Sequence, residues 1–403
     1  MHRGSGRPVP GGRGASRSGQ RRRCRIRRSR VSGDRVVAPV GFRSRNLGDP
    51  RRHVDVVLAA AVGAVLLFGL ILVYSATRRL DGGNGYVVRQ MMFAVVGIGA
   101  ASAAALVDYR KVADWWQALY AVSIVMLIGV LTPLGTVVNG TSGWYRAGSI
   151  ALQPAEFAKL TTILAIAAYL GSVDEVDLRR LAGALGLLGV PVLLTLLQPD
   201  LGSALVFIVL GLGMLVVAGV RMKHLGVLVT LGIVAILMIL NSGALDDYQT
   251  ERLTSFISPD EQSYNVDQSQ KAIGSGGLTG YGLANGPQTR GGYVPEQQTD
   301  FIFTVVGEEF GFLGSSLLVA LLGIIIWRCW RAAQLAADQI GTLLCIGVTC
   351  MFLFHIFENI GMTLGIMPVT GIPLPFVSYG GSSLLVSFVA VGLVQSVHMH
   401  RFS

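Results

Sequence analysis

The chain has 403 residues, of which 52% are hydrophobic and only 14% charged. A soluble domain carries about 25% charged residues, so this composition excludes a water-soluble globule and points to an all-α polytopic membrane protein. The formal net charge of +10 is concentrated at the front, where residues 1–53 hold 16 of the 33 Lys and Arg against Asp34 and Asp49, and the slightly acidic remainder excludes nucleic acid as a partner of the membrane body.

Residues 1–53 read as an Arg-rich disordered cytoplasmic tail. The stretch "RRRCRIRRSR" (21–30) has too little apolar content to build a core and enough charge to sit near anionic headgroups. A nucleic-acid-binding arm and a start site set too far upstream are the rival readings. The tail has no apolar core with a cleavage site, so it does not read as a signal peptide. Cys24, Cys329, Cys345 and Cys350 lack the spacing of a metal site or a disulfide framework.

From residue 54 onward the chain alternates apolar runs with short polar breaks. Ten runs approach the roughly 17–25 residues needed to cross a bilayer: 54–76, 87–107, 115–134, 153–171, 181–198, 201–220, 224–241, 301–327, 340–364 and 376–397. Pro191 is expected to kink the fifth. Basic residues at 110–111, 179–180, 221–223, 328–331 and 401 gather on one side with the tail. The distribution predicts about ten transmembrane helices with both termini cytoplasmic. Arg78, Arg79 and Arg89 are the exceptions, in the first loop of the opposite side.

The large extracellular loop between helices 7 and 8 (242–300) is the one segment with soluble-like composition. Its opening residues, 246–273, are compatible with amphipathic surface helices, and its middle is Gly-rich ("KAIGSGGLTGYGLANGPQTRGG"). The loop ends in Asp300, at the membrane–water boundary. Asp300 is either a helix N-terminal charge favoured by about 0.3–1 kcal/mol or a base whose pKa is raised by partial desolvation. Glu308 and Glu309 follow about 12–14 Å along the same helix, compatible with a functional cavity or with structural pairing. In "QPAEFAKL" (153–160), Glu156 and Lys159 share a helix face and read as a structural ion pair. "MPVTGIPLPFVSYGGSSLL" (367–385) offers Ser378, Ser382 and Ser383 at a helix start that can hold an anion or form a packed re-entrant turn. Asp200, in "QPDLGSALVF", reads as a turn former.

In chain order, "QPAEFAKL", "QPDLGSALV", "AIGSGGLTGYG", "VPEQQTDFIFTVVGEEFGFLG" and "PVTGIPLPFVSYGGSS" resemble the SEDS proteins (shape, elongation, division and sporulation), the RodA and FtsW polymerases. The resemblance covers residues 54–398, which it implies are one SEDS-type transmembrane domain. The wording "VPEQQTDFIF" and "PVTGIPLPF" is closer to RodA, the elongation type. The resemblance implies an inverting peptidoglycan glycosyltransferase acting on lipid II at the outer face of the bacterial cytoplasmic membrane. It implies a class B penicillin-binding protein as partner and a divalent cation (Mg²⁺ or Mn²⁺) with unknown ligands. It makes Asp300 the catalytic acid/base and Glu156–Lys159 the intramembrane pair. Lys271, Arg252, Arg290, Ser378, Ser382 and Ser383 are then the candidate contacts to the pyrophosphate, with Glu308 and Glu309 lining the cavity behind.

Three positions depart from the family pattern. Gln298 stands where His is usual, Tyr281 where Lys is common, and Arg146 falls two residues after Trp144 rather than at or just before it. A lipid II flippase and a non-catalytic scaffold for a penicillin-binding protein are the competing readings. The absence of internal repeats and the preserved Asp300 weigh against them.

Overall fold

The computed structural model describes residues 53–402 except 81, 139–140, 149, 174 and 243–263. The tail and Arg252 therefore lie outside the described residues. Within them the chain is mostly helical, and each of the ten apolar runs falls on a helix. These are α1 (Val56–Thr77), α2 (Gly83–Leu106), α4 (Trp116–Val130), α5 (Pro154–Leu170), α6 (Leu178–Leu197), α7 (Leu201–Val217), α8 (Met222–Ser242), α11 (Ile302–Gln334), α12 (Gln339–Thr363) and α13 (Gly381–Met399). Six of them (α1, α2, α6, α11, α12 and α13) are long and apolar enough to cross a membrane by length and composition, and α4 and α7 are shorter apolar helices. The helix of α6 continues through Pro191.

Further elements join these helices, of which only the helix over 264–275 falls mostly within a stretch, 246–273, expected to form amphipathic helices. A short helix, α3 (Tyr109–Asp114), is capped by Asp108, which accepts from Arg110 N at 3.0 Å. The all-α expectation is corrected by a three-stranded antiparallel sheet of order β1-β2-β3: β1 (Thr136–Val138), β2 (Thr141–Ala147) and β3 (Ile150–Leu152). Two further helices, α9 (Tyr264–Ser275) and α10 (Pro287–Gly291), lie in the segment before α11. Ser269 Oγ donates to the Thr363 carbonyl at 2.7 Å, fastening α9 to the end of α12.

The core is continuous through the helices. α12 is its axis, packing on α5, α7, α11 and α13, while α2 packs along α13 and α1 along α11. Small residues set these close approaches: a Cβ at Gly97 would run into the Phe388 ring, and one at Gly69 into the Phe376 carbonyl.

α11 is broken at Gly311, whose φ of 61° and ψ of −157° are non-helical. The Gly-rich stretch 276–282 is spliced into this break. Tyr281 N and Gly282 N donate to the carbonyls of Glu308 and Glu309, at 3.1 and 2.9 Å. Phe312 N and Leu313 N in turn donate to the carbonyls of Gly277 and Leu278, at 2.9 and 3.1 Å. A helix broken in an apolar core strands backbone donors and acceptors, and here the loop satisfies them. Gly280, at φ +74°, lies directly against the Glu309 carbonyl, where a side chain has no room.

Candidate active site

The β-sheet, the segment before α11, the connection 367–380 and the starts of α2, α7 and α13 converge at one end of the helices around a cavity of about 480 Å³. Asp300 lies in its wall. It is half-buried, one residue ahead of Phe301, which occupies the N-cap of α11. Its main chain is anchored on two sides: Asp300 N donates to the Glu296 carbonyl at 3.1 Å, and its own carbonyl accepts from Asn359 Nδ2 at 2.8 Å. Gly371, at φ +73°, faces the carboxylate so closely that a Cβ there would lie 3.3 Å from Asp300 Oδ2.

The sheet explains how Arg146 reaches the same cavity. Tyr145, Arg146 and Ala147 pair with Leu152, Ala151 and Ile150. Side chains alternate across a strand, so Trp144 and Arg146 share one face and Tyr145 takes the other. Trp144 and Arg146 line the cavity, while Tyr145 Oη donates to the Met126 carbonyl at 2.9 Å and burial pushes its pKa up. The two-residue offset of this Arg therefore keeps it on the face of Trp144. Arg146 is the only Lys or Arg among the described residues lining the cavity.

The start of α13 forms the wall next to β3, where Ser382 Oγ donates to the Ala151 carbonyl at 3.3 Å. Gly380 provides no side-chain cap, so the first turn opens onto the cavity through Gly381, Ser382 and Ser383. Ser382 Oγ accepts from Gln153 N at 3.1 Å, which ties α13 to the start of α5. Ser378 does not line the cavity. It is buried, accepting from Leu374 N at 2.9 Å, and closes the turn that three prolines keep out of helix. Gln298 lines the cavity and its carbonyl accepts from Tyr379 N at 2.9 Å. Asp200 also lines it, but caps α7 through Ser203 N at 2.9 Å and accepts from Gln153 Nε2 at 3.1 Å.

Besides Ser378, four of the expected site residues lie outside the Asp300 cavity. Lys271 pairs with Asp267 one helical turn away at 2.5 Å, on the exposed face of α9. Arg290 donates to the Ala284 carbonyl and to Asn285 Oδ1, at 2.7 and 2.6 Å. Neither lines the Asp300 cavity. Glu308 and Glu309 are not cavity-lining either. Glu308 caps α10, accepting from Gln288 N, Thr289 N and Thr289 Oγ1 at 2.6, 3.0 and 2.6 Å, and Glu309 accepts from Ser75 Oγ at 2.5 Å. Both Glu308 oxygens are thus met by structural donors, whereas at Glu309 only Oε1 is, and the buried Oε2 has no hydrogen-bond partner among the described residues. Glu156 and Lys159 form a buried pair at 2.6 Å, with Lys159 Nζ also 3.2 Å from His355 Nε2. Among the described residues no three His, Cys, Asp or Glu side chains converge as a metal site, so these residues alone do not make a cage for a divalent cation.

Asn359, Trp144 and Tyr379 were missed as site residues. The signal for Asn359 was present, since a polar residue deep in an apolar run needs a partner.

The FtsW/RodA/SpoVE cell cycle protein model matches residues 54–403. Stage V sporulation protein E of Bacillus subtilis is 36% identical over 85% of this chain and 96% of its own. The peptidoglycan glycosyltransferase MrdB of Escherichia coli K12 is 34% identical over 87% of this chain and 94% of its own. Among solved structures, a chain of a peptidoglycan synthase complex that coordinates polymerisation and crosslinking superposes with a TM-score of 0.75 at 31% identity, covering 87% of this chain and 99% of that one. The rod shape determining protein RodA of Thermus thermophilus gives a TM-score of 0.67 at 30% identity, covering 87% and 98%. The chain belongs to the FtsW/RodA/SpoVE family.

Proposed function

We propose that this family member is a multi-pass protein of the bacterial cytoplasmic membrane that polymerises glycan strands from lipid II at the outer membrane surface. Ten spans with both termini cytoplasmic put the Asp300 cavity outside. One observation carries the reading: a half-buried carboxylate, a single guanidinium and an uncapped helix N-terminus face one cavity at the boundary between polar segment and apolar helix.

Each part has a chemical task. Asp300 is the general base that takes the proton from the GlcNAc 4-hydroxyl of the acceptor, a contribution of about 10²–10⁴-fold. The freed oxygen attacks the anomeric carbon of the donor MurNAc, and undecaprenyl pyrophosphate departs with inversion. Arg146 and the N–H groups opening α13 oppose the charge growing on the leaving group, and Trp144 offers a face to the sugars. Residues 1–53 and 54–398 act as tail and catalytic domain. No step is assigned to a divalent cation.

A class B penicillin-binding protein as transpeptidase partner is supported by the synthase complex to which the fold is similar. An elongation role is supported by the wording of "VPEQQTDFIF" and "PVTGIPLPF". The test is incubation of the purified chain, alone and with its partner, with fluorescent lipid II. A ladder of glycan strands is expected. Transfer of lipid II across a proteoliposome bilayer without strands would instead support a flippase.

A further inference from the structure

Arg78 and Arg79 follow α1 on the side that the proposed topology places outside, against the usual distribution of basic residues. The fold gathers them with a third Arg. A recess of about 290 Å³ is lined by Ser75, Arg78, Arg79, Ala284, Thr289 and Arg290, none of which lines the Asp300 cavity. Arg290 is pre-positioned by the Ala284 carbonyl and Asn285 Oδ1. Arg79 lies over Gly292, a φ +68° residue where any Cβ would strike the guanidinium. Of the carboxylates behind the recess, Glu308 is held by Thr289 and the start of α10, and Glu309 accepts from Ser75 Oγ through one oxygen, while neither lies within ion-pair distance of the three guanidiniums. Among the described residues, none of the three guanidiniums has an ion-pair partner.

Three guanidiniums around one recess match the oxygens of a phosphate group, to which Arg binds through paired N–H donors. The surface leading to the recess is apolar. Leu67, Ile71 and Tyr74 are exposed along α1, at 63%, 42% and 39% of their surface. The spacings 67–71, 71–74 and 74–78 are those of neighbours on one helix face, so this stripe runs directly to Arg78.

We propose that the Arg78–Arg79–Arg290 recess is a second anion site, which takes the phosphate or pyrophosphate of a lipid whose chain lies along Leu67, Ile71 and Tyr74. The inference concerns binding and goes beyond the polymerase reading, since Asp300 takes no part in it.

The test uses the full chain in a neutral detergent. It measures binding of labelled phosphatidylglycerol, labelled polyprenyl pyrophosphate and a labelled neutral diacylglycerol, with inorganic pyrophosphate as competitor. Arg78→Gln/Arg79→Gln is the first variant, because neither side chain donates a hydrogen bond to a described residue and the fold should persist. Loss of one charge-assisted contact weakens binding about tenfold, so the double variant is expected to lose about 100-fold for the phosphate lipids and nothing for diacylglycerol. Arg78→Lys/Arg79→Lys should retain part of the affinity. Whichever phosphate lipid binds more tightly identifies the source, and displacement by pyrophosphate alone would show that the phosphate carries the recognition. Unchanged affinity in the Gln variant overturns the proposal, as does an equal loss for diacylglycerol. Phosphatidylglycerol separates the two cavities, since the polymerase reading places no such lipid beside Asp300: its loss in the Gln variant is the result expected, and equal binding by wild type and variant overturns the inference while leaving the polymerase reading intact.

Discussion

Asn359 holds the main chain of Asp300. Its Nδ2 donates at 2.8 Å both to the Asp300 carbonyl and to the Ile372 carbonyl, joining the start of α11 to the proline-rich connection through one fully buried side chain on α12. Asn359→Leu leaves two carbonyls without this donor, at a cost of about 1–3 kcal/mol. A shift of about 1 Å at the reacting group costs about 10²-fold in rate. Lipid II polymerisation by this variant is therefore expected to fall by about that factor while the protein still folds, as checked by strand synthesis alongside thermal unfolding.

Lys159 and Glu156 are 1% and 4% exposed. Removing one member of a buried pair leaves an uncompensated charge and costs about 3–5 kcal/mol. Lys159→Met should be strongly destabilised in detergent. Glu156→Gln/Lys159→Met should recover much of the loss, and thermal unfolding of the three proteins measures it.

Gly280 combines a positive φ with contact against the Glu309 carbonyl. Gly280→Ala forces the splice out of the break in α11 and is expected to cost more than about 1 kcal/mol. Gly282, also at positive φ, meets only the Asn285 side chain, at 3.5 Å. Gly282→Ala should therefore lose less, and comparing the two melting temperatures tests the splice.

Asp338 fixes a pH dependence outside the spans. Burial raises its pKa, but Gly341 N–H, Arg110 and the Tyr109 hydroxyl together outweigh that and hold the carboxyl below its usual value. The folded pKa lies below the unfolded one, so its stabilisation is present above about pH 3.9 and is lost as pH falls through the folded pKa. Unfolding midpoints measured from pH 7 downward should drop at the acidic end in the wild type. Asp338→Asn should start lower at pH 7 and lose less on acidification.

The ten helices were legible because apolar runs and their polar breaks depend only on local composition. What could not be read was set by pairing at a distance. The strands of 136–152 are short and Gly-containing, so the alternation that puts Arg146 on the face of Trp144 was not read as strand. The Gly-rich segment 276–282 is read locally as an open loop, yet its hydrogen bonds lie about 30 residues further along. That splice also explains why Glu308 and Glu309 turn away from the cavity. Lys271 was an attractive cation by type, but Asp267 at i−4 already holds it. For Asp300, position in the sequence left a helix N-terminal charge and a base both open and only the motif resemblance singled the residue out, while Gly371 and Asn359, which set its surroundings, came from the far end of the chain.

The central claim is that Asp300 takes the acceptor proton. The direct test is strand synthesis from lipid II by wild type, Asp300→Asn and Asp300→Ala, each bound to its partner and shown to be folded. Asn is isosteric but is no base, so both variants should make no strands while still binding lipid II. Strands from Asp300→Asn at a rate near that of wild type would contradict the account.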